Sequence, residues 1–203
     1  MKTLLYVRTS LFGSAGQSSQ LAEHFLSDWQ TRNPGGRVVT RDLAEQPIPH
    51  LTAERFQAFG TKPELRTAEQ QAEVAFSDAL IDEVRGADAI VLAVPMYNFS
   101  VPSTLRAYFD HIARAGVTFR YTSTGPEGLL RGKHAYVFVT RGGVYADGAD
   151  TQTPYVRQFL GFLGIETHFI YAEGLGHGEE VRRTSLAAAH HEIDAIGDVG
   201  LAA

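Results

Sequence analysis

Four short apolar runs punctuate the chain: LLYVRT at 4–9, AIVLAV at 89–94, AYVFVT at 135–140 and THFIYAEG at 167–174. A weaker fifth, RVVTRDL, lies at 37–43. Their length and their wealth of β-branched and aromatic residues predict strands. Between them, apolar residues recur at helical spacing. Leu21, Phe25 and Trp29 stand four apart behind Ser18, which predicts a helix capped by that serine. Ala68, Ala72, Phe76, Leu80 and Val84 predict a longer helix. Leu105, Tyr108, Phe109 and Ile112 predict another, opened by Pro102 at a first-turn position. Tyr155, Phe159, Leu160 and Leu163 mark a fourth, and residues 179–196 a last. Five strands alternating with about five helices predict a parallel sheet with crossover helices.

Two excursions interrupt this alternation. Pro47, Pro49 and the residues up to Leu65 separate the second strand from its helix, with a short helical piece around 54–59. Residues 116–133 hold VTFRYT followed by GPEGLLRG, the pattern of a small hairpin or flap. Long insertions in compact domains tend to be functional. No internal repeat, low-complexity tract or linker divides the chain, so residues 1–203 are expected to form one domain.

Composition narrows the function. A net charge of −5 disfavours a nucleic-acid partner, which selects for a basic face. The chain has no cysteine, so no thiolate nucleophile or thiolate metal site is available. No apolar run reaches the roughly 18 residues of a membrane span, and the first nine residues do not read as a secretory signal. A cytoplasmic protein without membrane partners is the expectation.

In an open α/β sheet, ligands bind beyond the carboxyl ends of the strands. The loop after the first strand reads TSLFGSAGQSSQ, residues 9–20. It is rich in Gly and Ser, has no lysine, and leads into a helix, a setting for one phosphate group on backbone N–H donors. It matches neither the nucleotide P-loop nor the dinucleotide fingerprint. The loop after the third strand, PMYNF, supplies Pro95, Met96, Tyr97, Asn98 and Phe99: apolar surface beside an amide that donates and accepts. The loop after the fourth, TRGG, supplies Thr140, Arg141, Gly142 and Gly143, where two glycines let backbone approach a flat ligand. Each loop alone reads equally well as an ordinary turn or core corner. Together, a phosphate end, an apolar platform and a polar ring edge describe FMN.

At this point the chain resembles the bacterial FMN-dependent NADH azoreductases, relatives of the NAD(P)H:quinone oxidoreductases. The motifs that carry the resemblance are PMYNF at Pro95, RAGVTFRYT at Arg114, GPEGL at Gly125, RGG at Arg141, TPY at Thr153, FLGF at Phe159 and AEG at Ala172. The resemblance implies a flavodoxin-like, doubly wound sheet of five parallel strands in the order 2-1-3-4-5. It implies that Ser10, Gly16, Gln17 and Ser18 hold the FMN phosphate, and that residues 95–99 and 140–143 surround the ring. It further implies a homodimer in which Leu51, Tyr121 and Phe162 of one subunit, with Phe99 and Tyr145, wall the substrate pocket. NADH and then a quinone or azo compound would occupy that pocket in ping-pong order, with no dedicated catalytic side chain. Departures from the family pattern are Gly16 and Tyr145, where serine and histidine are common, and the missing arginine near Gly60, which favours NADH over NADPH. A flavodoxin-type electron carrier without nicotinamide turnover is the alternative.

Other motifs have plainer readings. HHEID at 190–194 and HGEE at 177–180 hold metal-ligand residue types, but adjacent histidines leave a helix in different directions, so a solvated surface is expected there. The G-x-S-x-G of an esterase is absent, and so are the acidic residues a phosphorelay receiver needs at the end of its first strand.

Overall fold

A computed structural model describes residues 2–145 and 149–199. Strands β1 (Thr3–Arg8), β2 (Arg37–Asp42), β3 (Ala89–Pro95), β6 (Lys133–Thr140) and β7 (Ile165–Ala172) form one parallel sheet in the order β2-β1-β3-β6-β7. Counted along that sheet, this is the order 2-1-3-4-5 that the resemblance implied. β4 (Phe119–Thr122) and β5 (Gly125–Gly128) pair separately as an antiparallel hairpin, the flap expected in residues 116–133.

Six helices are found among the described residues. α1 (Gln17–Arg32) and α6 (Glu179–Val199) cover one face of the sheet. α3 (Ala68–Gly86), α4 (Ser103–Ile112) and α5 (Gln152–Leu163) cover the other. α2 (Ala53–Gly60) is the short helical piece of the first excursion and packs on α3. The alternation along the strands accounts for both layers. Leu4 and Tyr6 of β1 face α1, whereas Leu5 and Val7 face the other side. β3 lies at the centre and is buried along its whole length, which is why it reads as an unbroken apolar run rather than an alternating one.

Three expectations about helix ends need adjustment. The N-cap of α1 is Gly16, not Ser18, so Ser18 lies within the first turn and is fully buried. Pro102 stands at the cap position of α4, one residue before the helix. α6 runs to Val199 rather than ending near 196. α3 opens with a reciprocal capping box between Thr67 and Gln70, which satisfies two backbone donors at once.

The hairpin is fixed to the body by backbone. Leu130 N–H donates to Leu163 O at 2.9 Å, while Leu129 N–H closes the base of the hairpin on Thr118 O at 2.9 Å. A Cβ on Gly128 would lie 2.2 Å from Gly164 N and 2.5 Å from Leu163 O. No side-chain rotation relieves contact with backbone, so only glycine permits this approach. Gly128→Ala is expected to destabilise the fold by about 1–3 kcal/mol, the range of overpacked sites, read as a lower urea midpoint; an unchanged midpoint would mean that the hairpin packs loosely there.

Candidate functional site

β1 and β3 are neighbours whose connections leave in opposite directions along the sheet, so the loops after them part and open a crevice at the switch point. The loop after β1 is anchored at its root, where the buried Thr9 hydroxyl donates to Ala93 O at 2.6 Å. Ser10 is buried, and its Oγ accepts the Phe12 N–H at 3.2 Å, which leaves the hydroxyl proton available to donate elsewhere. A short 3-10 turn, Gly13–Ala15, then delivers the chain to Gly16 and the start of α1.

That start has the features of an anion seat. Gly16 offers no side-chain cap, and no acidic residue stands in the first turn. The first N–H groups of the helix therefore face outward with the positive end of its dipole behind them. The Ser18 hydroxyl is buried without a hydrogen-bond partner, a costly state that a bound acceptor relieves. The structure also gives a steric reason for Gly16: a Cβ there would fall 2.1 Å from Ser10 Oγ. Gln17 is turned to the surface, where its amide meets Gln20 at 3.1 Å, so its backbone rather than its side chain belongs to the seat.

The loop after β3 turns within four residues. Tyr97 and Ser100 exchange backbone hydrogen bonds of 3.0 and 3.1 Å, with Asn98 and Phe99 between them at φ of 50° and 66°. Two successive positive φ values belong to the tight hairpin turn that favours Asn-Gly, and Phe at the second position carries strain of order 1–3 kcal/mol. Phe99 O is held by the Thr151 hydroxyl, and the Phe99 ring is left 67% exposed. The Tyr97 hydroxyl accepts the Leu11 N–H at 3.2 Å, joining this loop to the first. Between the two loops and the start of α4 lies a cavity of about 610 Å³, lined by Leu11, Met96, Asn98, Val101 and Thr104 among others.

The loop after β6 depends on Arg141. Its guanidinium is buried and donates to Gln152 Oε1 (3.1 Å), Glu173 Oε1 (2.8 Å), Asp150 Oδ2 (2.7 Å) and Thr153 Oγ1 (2.6 Å). The side chain therefore faces inward and positions the loop, while Gly142 and Gly143 present backbone. Their carbonyls accept Gly176 and Gly174 N–H at 2.9 Å each, and their own N–H groups have no acceptor among the described residues. Thr140 O accepts the Met96 N–H at 2.8 Å, and Gln152 Nε2 donates to Pro95 O at 3.1 Å, so the second and third loops form one unit. Tyr145 stacks over Arg141 and meets the Phe99 ring edge-on at 6.3 Å.

Leu51, Tyr121 and Phe162 lie elsewhere. Tyr121 and Phe162 flank Phe119, with ring centroids 5.6 and 4.4 Å away. Phe162 is ten residues along α5 from Gln152, roughly 15 Å from the site. Leu51 follows Pro49, whose carbonyl meets His111 near the far end of α4. The chain thus brings together the helix start and the loops after β3 and β6, while these three residues lie apart from them. Motif reading missed Gln152, Asp150 and Thr151, whose effect on the site passes through Arg141 and Phe99.

A doubly wound sheet with an open helix start and a flat platform at its switch point defines a flavodoxin-like protein, and the chain belongs to that family: its model, described as a flavodoxin-like fold, matches residues 2–196. Within it, the chain is 56% identical over 196 residues to the FMN-dependent NADH:quinone oxidoreductase of Cellvibrio japonicus, covering 96% of this chain and 98% of the relative. It is 48% identical to the protein of the same name from Alcanivorax borkumensis, covering 94% of this chain and 97% of that one. The crystal structure of an azoreductase from Bacillus anthracis superposes with a TM-score of 0.88 at 27% identity, covering 98% and 99% of the two chains.

The Arg141 cluster makes the site sensitive to acid. Burial opposes ionisation of Asp150, but the Thr153 hydroxyl and N–H and the Arg141 guanidinium outweigh it and hold its pKa below the usual range. A depressed carboxylate contributes stability that is present above its unfolded pKa, about 4, and lost as pH falls through the folded value. Arg141→Gln is expected to cost about 3–5 kcal/mol by leaving Asp150 and Glu173 without their partner. Chemical denaturation from pH 7 to 3 should also show the acid-linked loss shrinking in the variant; an equal slope in both proteins would separate Asp150 from Arg141.

Proposed function

We propose that this chain is an FMN-dependent NADH:quinone oxidoreductase that also reduces azo compounds, acting in the cytoplasm as a homodimer with one pocket used in turn by donor and acceptor. The observation that carries the reading is the buried, unpartnered Ser18 hydroxyl at an uncapped helix start, beside a platform with two unpaired glycine N–H groups. The relatives' names supply the chemistry.

The residues fit FMN. Ser10, the Ser18 hydroxyl and the backbone N–H groups of Gln17 and Ser18 would hold the phosphate without a cationic side chain. Pro95, Met96, Tyr97, Asn98 and Phe99 would lie along the ring on one side, with Thr140, Gly142 and Gly143 at its edge. Bound FMN supplies the two-electron chemistry that links NADH oxidation to quinone reduction.

The chain's own part is to bind, orient and exclude water. The Gly142 and Gly143 N–H groups are fixed donors that stabilise negative charge on whatever carbonyl edge they meet. Phe99 and Tyr145 give an aromatic wall that accepts flat substrates of varied outline. Leu51, Tyr121 and Phe162 of a second copy would close the opposite side; Tyr121, 75% exposed in the single chain, is available for this. Protons reach the acceptor from water or from a tyrosine hydroxyl, Tyr145 or the second copy's Tyr121. Among the described residues no helix is long and apolar enough to cross a membrane.

Anaerobic mixing of the FMN-loaded protein with NADH is expected to bleach the flavin absorbance, and benzoquinone to restore it. Bound flavin that NADH leaves oxidised would instead support an electron carrier. Ser18→Ala is expected to weaken FMN binding about tenfold, the worth of one charge-assisted hydrogen bond, while leaving the stability of the flavin-free protein nearly unchanged because no protein partner is lost. Fluorescence titration and thermal melting check the two halves; unaltered affinity would remove Ser18 from the phosphate seat.

A further inference from the structure

The HHEID stretch read from the sequence as a solvated surface gains a different meaning once α6 is laid against α1. Each of the two helices carries a histidine followed four residues later by an aspartate: His24 and Asp28 on α1, His190 and Asp194 on α6. Residues four apart share one helix face, one turn above the other. The two faces meet. His24 Nε2 lies 2.8 Å from Asp194 Oδ1, and the His24 and His190 rings stand edge to face at 4.7 Å. One ligand atom from each of His24, Asp28 and Asp194 lies within 4.8 Å of the others.

We propose that His24, Asp28 and Asp194 form a binding site for a divalent transition metal of the zinc class, with water or His190 as the fourth ligand. One imidazole and two carboxylates are the donor set of such an ion; Mg²⁺ and Ca²⁺ prefer all-oxygen sites, and Cu(I) prefers sulfur. Tetrahedral Zn²⁺ with bonds of about 2.1 Å brings its ligand atoms to roughly 3.4 Å from one another. The three side chains are 36%, 37% and 61% exposed and so have room to rotate: an ion between them would draw Asp28 inward and replace the direct 2.8 Å contact of His24 with Asp194. Asp28 also meets Arg32 at 3.3 Å, an exposed pair that a divalent ion displaces.

The ion would clamp the last helix to the first. His24 is seven residues into α1 from Gln17, about 10 Å from the anion seat at the helix start. The site is separate from that seat and from the ring platform, so its role is to stabilise the folded holoprotein rather than to take part in electron transfer.

The test uses the full-length, tag-free, FMN-loaded protein titrated with ZnCl₂ in a calorimeter, with thermal melting in parallel. One Zn²⁺ per chain is expected, and the melting temperature should rise by about 5–10 °C at a hundredfold excess over Kd, since an ion that binds only the folded state must shift the midpoint. MgCl₂ at equal concentration should give no shift. His24→Ala and Asp194→Asn should each weaken Zn²⁺ binding at least tenfold. His168→Ala, which removes an exposed histidine on β7 that faces Glu192 instead, should not. A flat wild-type titration, or Zn²⁺ binding that His24→Ala and Asp194→Asn leave unchanged, overturns the proposal.

Discussion

The loops after β3 and β6 are held in register by one buried cation. Arg141 directs four of its five N–H donors to Gln152, Glu173, Asp150 and Thr153. Through them it reaches the start of α5, the end of β7 and, by way of Gln152, the Pro95 carbonyl that ends β3. Burying a guanidinium and partly burying two carboxylates carries a desolvation cost, and their mutual attraction offsets it only with good geometry. A hydrophobic cluster of the same volume would bring no directional bonds. Directionality is what two glycines need if their N–H groups are to stay aimed out of the fold rather than collapse onto each other.

The same logic explains a local cost on the opposite lip. Phe99 sits at positive φ, where an L side chain is strained, in a turn that asparagine and glycine would form more readily. The turn persists because its ends are bonded to each other and the Phe99 carbonyl is tied to Thr151, one residue before α5. Asp150, Thr151, Gln152 and Thr153 therefore serve both lips: Asp150, Gln152 and Thr153 grip Arg141, and Thr151 grips Phe99. The N-terminal turn of α5 thus ties the Phe99 turn and the Arg141 loop to one another.

Much of this was legible in the sequence because it rests on local periodicity. The continuous AIVLAV run and the alternation around Leu4 to Val7 give the central strands, and the excursions show as breaks in the strand and helix rhythm. The Ser/Gly loop and PMYNF stand out through composition. What could not be read were effects that need a neighbour distant in the chain. Ser18 looks like a cap because it precedes an apolar stripe, yet the close packing of Gly16 on Ser10 begins the helix two residues earlier. Arg141 is expected among the residues around the ring, yet partners 9, 11, 12 and 32 residues onward enclose its side chain. HHEID looks like an unremarkable surface until α1 supplies the other half of a His/Asp pair.

The division of labour within the site follows from where each part is anchored. The loops after β1, β3 and β6 grow from adjacent strand ends, where parallel pairing in a buried sheet fixes their roots. Tyr121 belongs to a two-stranded hairpin whose strands are only four residues long, and Leu51 to a proline-rich excursion over α4. Short hairpins and loops have few cooperative contacts and adapt more readily than a central strand. The proposed function would use this asymmetry, with a rigid wall for a constant cofactor and an adaptable wall for changing acceptors. Within one chain α4 and α5 carry the neighbourhood of Leu51, Tyr121 and Phe162 away from that end of the sheet, which is why the proposed function assigns these three walls to a second copy.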